Sequence, residues 1–183
     1  MFEELVAAEK RVSNLRESTY LSSWSIAQDE SYALWKIYLG GSRAGVAIKS
    51  TFSALQKSIQ AESGNEITCA RVRYTDDVNP KNLLDDHFIY QKSTHYEYEK
   101  ELRLATDYQP DLENRDPLHR RMRPNGDPAP NGLNVNVSID TLIREIYLSP
   151  FAMRGFRKTF EQIVKKVRPE LQAKVKTSAV RDS

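Results

Sequence analysis

Within residues 95–105, HYEYEKELRLA, glutamates stand at positions 97, 99 and 101, and an arginine stands at 103. Alternate side chains of an extended chain share one face, so Glu97, Glu99, Glu101 and Arg103 are expected together at the mouth of a strand. Like charges set that close repel one another, which implies a use for them. A carboxylate among carboxylates is expected to keep its proton to higher pH, which suits general acid–base work or the holding of a cation. A carboxylate at a strand mouth can also accept a hydrogen bond from a ribose hydroxyl. Glu99, Glu101 and Arg103 are therefore the candidate catalytic residues.

Other chemistries find weaker footing. Asp76, Asp77, Asp85, Glu97 and Glu99, with Lys92 or Lys100, could gather round a divalent cation as in a metal-dependent nuclease, but the usual Glu-x-Lys strand is missing. His87, His95 and His119 lack metal-ligand spacing, so no metal site is expected. The glycines of LGGSRAG are not followed by the Lys-Ser/Thr of a phosphate-binding loop, and they read as a helix stop and a turn. Trp35 and Tyr38, about one helical turn apart, serve either as core or as a stacking platform.

The elements that must position these residues follow from periodicity. Phe2, Leu5, Val6, Val12 and Leu15 predict an amphipathic helix over 2–16, and TYLSSW a strand over 19–24. A helix follows, with Asp29 as its N-cap and Gly40-Gly41 as its stop. RAGVAIK predicts a strand over 43–49, after which Ser50 or Thr51 caps a helix with Phe52, Leu55 and Ile59 inward. EITCARVRY, 66–74, is a strand of imperfect phase, so a bulge is expected in it. A helix is predicted within 80–96 and strands over 101–106, 133–139, 144–148 and 171–176. Met153, Phe156, Phe160, Ile163, Val164 and Val167 form the clearest helical stripe, ended by Pro169.

This interleaving predicts a single α+β (or α/β) domain over 1–183, with a mixed sheet of about six strands and flanking helices. The strands 43–49 and 101–106 are expected side by side. Residues 107–132, rich in Pro, Gly, Asn and Asp, form a long flexible loop of the kind found in lids, binding segments or disordered insertions.

Composition bounds the setting. The chain has 183 residues, 39% hydrophobic and 28% charged, as in a globular protein. Cys69 is the sole cysteine, which excludes an internal disulfide and suits a reducing cytoplasm, the expected location. The N-terminus lacks the apolar core of a signal peptide, and no apolar run reaches the length of a membrane span. Residues 76–116 carry eleven acidic and five basic side chains, whereas 151–183 carry nine basic and three acidic. The basic segment is a solvated face or a patch for phosphate, including nucleic acid.

Taken in order, Trp24, Glu30-Ser31 before a helix with Trp35 and Tyr38, Gly45 and Ile48 on a strand, Tyr74, Lys92, Glu99-x-Glu101-x-Arg103 and Pro150 after a Tyr-Leu strand end form a pattern. It resembles a bacterial family, the domain of unknown function 2971 and its relatives, from about residue 19 onward. Relatives carry a longer N-terminal part with an aromatic-rich strand, which this chain is expected to lack and which a partner chain could supply.

The Glu-x-Glu segment is also similar to that of ADP-ribosyltransferases, which bind the nicotinamide ribose there and pair it with a Ser-Thr-Ser motif at an earlier strand end. Ser50 and Thr51 are similar in kind and order, while the arginine of a first strand has no counterpart unless Arg43 or Arg103 replaces it. The resemblance implies NAD as cofactor, bound by Ser50, Thr51, Trp35, Tyr38 and Lys92, in an effector of toxin or defence type. The competing expectation is a non-catalytic module completed by a partner protein or by a second copy of itself.

Overall fold

A computed structural model describes residues 6, 19–59, 66–76, 86–107 and 130–180 of the chain. In chain order the elements are β1 (Thr19–Ser25), α1 (Tyr32–Leu39), β2 (Val46–Lys49), α2 (Phe52–Ser58), β3 (Thr68–Arg71), β4 (Arg73–Tyr74) and a 3-10 turn (Asp86–Tyr90). They continue with β5 (Gln91–Lys92), a second 3-10 segment (Thr94–Glu99), β6 (Glu101–Asp107), α3 (Ile139–Leu142), β7 (Glu145–Leu148), α4 (Arg154–Val167), a third 3-10 segment (Pro169–Lys174) and β8 (Val175–Thr177). The α+β class is as expected. Among the described residues, however, the strands form two three-stranded sheets and a two-stranded pair in place of one sheet of about six. Each three-stranded sheet belongs to its own compact unit: Met1–Ala27 with Gly64–Asn134, and Gln28–Ser63 with Val135–Ser183.

In the first unit the sheet order is β1-β6-β3, all antiparallel. The central strand β6 is flanked on both sides, and Glu101, Leu102, Leu104, Ala105 and Thr106 are buried. The stretch 66–74 is not one bulged strand. It breaks at the buried Val72, whose N–H donates to the Glu101 carbonyl at 2.9 Å, and Arg73–Tyr74 then turn to pair in parallel with Gln91–Lys92. In place of a helix within 80–96, the described part holds two 3-10 segments around β5. Local side-chain bonds favour the turn at 93–95: the Asp76 carboxylate accepts from the Ser93 hydroxyl at 2.7 Å and from the Thr94 N–H at 3.1 Å.

The second unit holds a sheet of order β2-β7-β8, antiparallel then parallel, packed with Trp35, Leu55, Leu142, Ile146, Leu148, Phe151, Val164 and Leu171. Helix α1 starts at Ser31, whose hydroxyl accepts from the Leu34 N–H at 3.3 Å, so Ser31 and not Asp29 is the cap. It ends at Gly40 and Gly41, which take φ of 55° and 89°, a region that favours glycine. Thr51 caps α2; Leu55 faces inward, but Phe52 is 58% exposed and Ile59 lies beyond the last turn.

The predicted strand 133–139 reduces to one bridge, Val137 with Ile59, because Ile139 already begins α3. At the other end β8 is confined to Val175–Thr177, since Pro169–Lys174 coil as 3-10 helix. The helix expected over 2–16 (Val6 excepted) and residues 108–129 of the expected loop lie outside the described residues.

Candidate functional site

The period-two reading of the glutamates fails at one residue. Lys100 sits at φ 47°, among the described residues the one non-glycine with positive φ, and its N–H donates to the Glu97 carbonyl at 3.2 Å. The chain is therefore coiled through Glu99 and extended only from Glu101. This leaves Glu97 exposed, whereas Glu99 and Glu101 are both buried. The turn is pinned to β1: the Ser25 hydroxyl donates to the Glu99 carbonyl at 2.9 Å, and the Ile26 N–H to the Lys100 carbonyl at 2.8 Å.

What brings the two glutamates together is Lys92, delivered by the short parallel pair of β4 and β5. Its ammonium donates to Glu99 Oε2 at 3.0 Å and to Glu101 Oε1 at 2.6 Å, and lies 4.5 Å from the centroid of the Tyr96 ring. Arg103 Nε donates to Glu101 Oε2 at 2.9 Å, and its Nη1 donates to the Ile89 carbonyl at 2.6 Å. The Glu101 N–H donates to the Tyr74 hydroxyl at 2.8 Å. Lys92, Glu99, Glu101 and Arg103 thus form a single ion-paired cluster.

Its electrostatics reverse the expectation of raised carboxylate pKa values at Glu101. Burial pushes the Glu101 carboxyl up, but hydrogen bonds from Arg103 and Lys92, the nearby guanidinium charge and a hydrogen bond from Ser23 outweigh it and hold the group at about 2. Burial likewise pulls the Lys92 ammonium down, and its bonds to Glu101 and Glu99 overcome that and leave it raised. Both groups are ionised throughout the physiological range. A carboxylate so acidic is a poor general base, so Glu101 is better suited to positioning its neighbours than to moving a proton.

Of the residues predicted for the site, Lys92, Glu99, Glu101 and Arg103 come together. Ser50, Thr51, Trp35 and Tyr38 belong to the second unit. The expected side-by-side strands do not occur: β2 pairs with β7, and β6 is flanked by β1 and β3. Ser50 donates to the Leu142 carbonyl at 2.5 Å, Thr51 caps α2, and the buried Trp35 donates its indole N–H to Glu30 at 3.1 Å. Tyr38 is 66% exposed, so it is not a core residue. Arg43 donates to the Phe151 carbonyl at 3.2 Å.

Sequence reasoning missed Ser23, Ser25 and Tyr96. The register of β1 on β6 sets Ser23 opposite Arg103 and Ser25 opposite Glu101, a pairing legible only once the partner strand is known.

For the nuclease expectation, Asp76 is engaged by Ser93 and Thr94, while Asp77 and Asp85 lie outside the described residues. Among the described residues no group of three or more His, Cys, Asp or Glu is placed to hold a metal, and no helix is long and apolar enough to cross a membrane. The basic C-terminal segment is partly compensated. Arg157 pairs with Glu161 at 2.9 Å, Arg168 pairs with Asp140 at 2.8 Å and with Glu170, and Lys174 donates to the Ile143 carbonyl at 2.7 Å.

No protein-family model matches the chain, and neither a curated protein nor a solved structure matches it.

Proposed function

We propose that the Lys92–Glu99–Glu101–Arg103 cluster recognises a nucleotide-class ligand, NAD foremost, in a bacterial protein of the family that the motif order resembles. One observation carries this reading: a single ammonium, its side chain 23% exposed, is shared by two buried carboxylates of which one is locked by an arginine. Each carboxylate oxygen can accept more than one hydrogen bond, so a carboxylate held ionised can take a ribose hydroxyl while keeping its cation. Glu101 has one oxygen on Lys92 and the other on Arg103, which makes it the positioning residue. Glu99 is then the group that touches the ligand, with the Lys92 ammonium and the Tyr96 ring beside it for a phosphate or a base.

The reaction class implied by the ADP-ribosyltransferase resemblance is cleavage of the nicotinamide–ribose bond with transfer to an acceptor. Ser50 and Thr51 carry structural bonds on another sheet, so the reading rests on Glu99 and Lys92 alone. Calorimetric titration with NAD, paired with an assay of NAD consumption, tests it. Wild type is expected to bind and consume NAD, and Glu99→Gln, which keeps shape but removes charge, to lose about a hundredfold or more of the turnover. Absence of NAD binding by the wild type, or unchanged turnover in Glu99→Gln, rejects the reading.

A second reading, a non-catalytic module completed by a partner chain, is favoured by the exposure of Ile37, Tyr38, Phe52, Met153, Ile163 and Val167 in the second unit. A partner-dependent loss of that exposure, measured by side-chain labelling with wild type inert toward NAD, would establish it.

A further inference from the structure

Strand β1 is an edge of its sheet: β6 lies on one side, and among the described residues no strand pairs with the other. Which backbone groups point outward follows from the neighbouring bonds. Ile26 donates its N–H to the Lys100 carbonyl, so the pair 26/100 is hydrogen-bonded; on the far side of β6, Val72 donates to the Glu101 carbonyl. Bonded and non-bonded pairs alternate along an antiparallel ladder. Ser22 and Trp24 therefore bond β6, while Leu21, Ser23 and Ser25 send their N–H and C=O groups away from the sheet.

Exposed edges this long are usually blunted by lysine, proline or a bulge. TYLSSWS carries neither charge nor proline, and its register on β6 runs unbroken from Thr19↔Asp107 to Ser25↔Glu101. Leu21 is 47% exposed on this edge. The opposite edge, β3, is defended in the ordinary way: it is four residues long and ends in Arg71, with the Thr68 hydroxyl bonded to that of Tyr90 at 2.6 Å.

We infer that β1 pairs antiparallel with β1 of a second copy of this chain, joining two three-stranded sheets into one across a twofold axis. A strand paired antiparallel with itself is self-complementary by symmetry. Centred on Ser23, the pairing sets Ser23 opposite Ser23 of the second copy and Leu21 opposite Ser25, so outward groups meet outward groups and about six interchain hydrogen bonds form. Ser23 is small enough to leave room at the axis while its hydroxyl keeps its bond to Glu101 in its own chain, and within the two β1 strands no like charges confront each other. An uncharged strand offers a charged peptide no counter-charge, which favours a second copy over a heterologous peptide.

Sedimentation equilibrium of the full chain tests the pairing. Wild type is expected to be a reversible dimer. Ser23→Lys and Ser23→Glu each place like charges across the axis and should weaken it at least about tenfold. An equimolar mixture of the two variants should recover the dimer, because only a twofold at position 23 sets the new lysine against the new glutamate. A monomeric wild type, a dimer indifferent to both substitutions, or variants that weaken it without recovery on mixing overturns the proposal. A monomer whose outward β1 amides resist hydrogen exchange does so too, and assigns the edge to another segment of the same chain. Should either charged variant fail to fold, Ser23→Cys in a Cys69→Ser background decides: oxidation should yield a covalent dimer, and a chain that stays monomeric overturns the pairing.

Discussion

Replacing Lys92 by methionine removes the ammonium and keeps most of the side-chain volume. Glu101, its side chain 4% exposed, would keep only Arg103 among its cations, and Glu99 would lose the ammonium while remaining beside a second carboxylate. The size of the effect can be worked from Glu101. Its folded pKa of about 2 against an ordinary 4.5 corresponds to about 3 kcal/mol of stability, present in full above pH 4.5 and lost as pH falls toward 2. Lys92 supplies part of that, together with its bond to Glu99. Removing one partner of a buried pair costs about 3–5 kcal/mol, and the partial exposure of Lys92 and the remaining Arg103 place this case lower, at about 2–3 kcal/mol at pH 7.

Urea unfolding followed by Trp24 fluorescence, in a Trp35→Phe background so that the first unit alone reports, should show a midpoint lower by roughly 1 M or more. The gap between Lys92→Met and its parent should narrow as pH falls from 4.5 toward 2, the range over which Glu101 gains its proton in the parent as well. Equal midpoints at pH 7, or a gap that persists unchanged in acid, would refute the claim that the cluster is held by charge.

Other substitutions probe the supports of the cluster and of the second unit by the same unfolding assay. Arg103→Lys cannot hold both Glu101 and the Ile89 carbonyl, so a loss of about 1–2 kcal/mol is expected; no loss would mean that one contact suffices. Thr51→Ala should cost about 1 kcal/mol through the missing cap of α2 and leave NAD turnover at the wild-type level. Gly41→Ala forces a side chain at φ 89° and should cost about 1 kcal/mol although nothing lies within 4 Å of its added carbon, which separates backbone strain from clash.

The clearest parts of the fold in sequence were those set by local rules. Gly40-Gly41 ended α1 where a left-handed stop was expected, Thr51 capped α2, and the stripe from Phe156 to Val164 became α4. Partner choice was not legible, because alternation identifies a strand without naming its neighbour. Thus 43–49 and 101–106 both extend, yet on different sheets, and the alternating 133–139 found one bridge only. The glutamate cluster was half legible. Lys92, Glu99, Glu101 and Arg103 do come together, but the turn at Lys100 and the charge compensation, which inverts the acidity expected of Glu101, depend on a 3-10 segment whose bonds to Ser25 and Ile26 lie far along the chain.

Each compact unit is assembled from separate stretches, residues 1–27 with 64–134 and 28–63 with 135–183. On the ribosome β1 must wait for β6, as Thr19 and Asp107 stand 88 residues apart, and β2 must wait longer for β7. Long-range pairing of this kind slows folding and leaves early strands unpaired during synthesis. A nascent chain stalled after α2 would hold pieces of both units and the completed sheet of neither. No single proteolytic cut can release either unit by itself: a cut after residue 134 leaves the two stretches of the first unit joined through 28–63, and a cut after residue 27 leaves those of the second joined through 64–134.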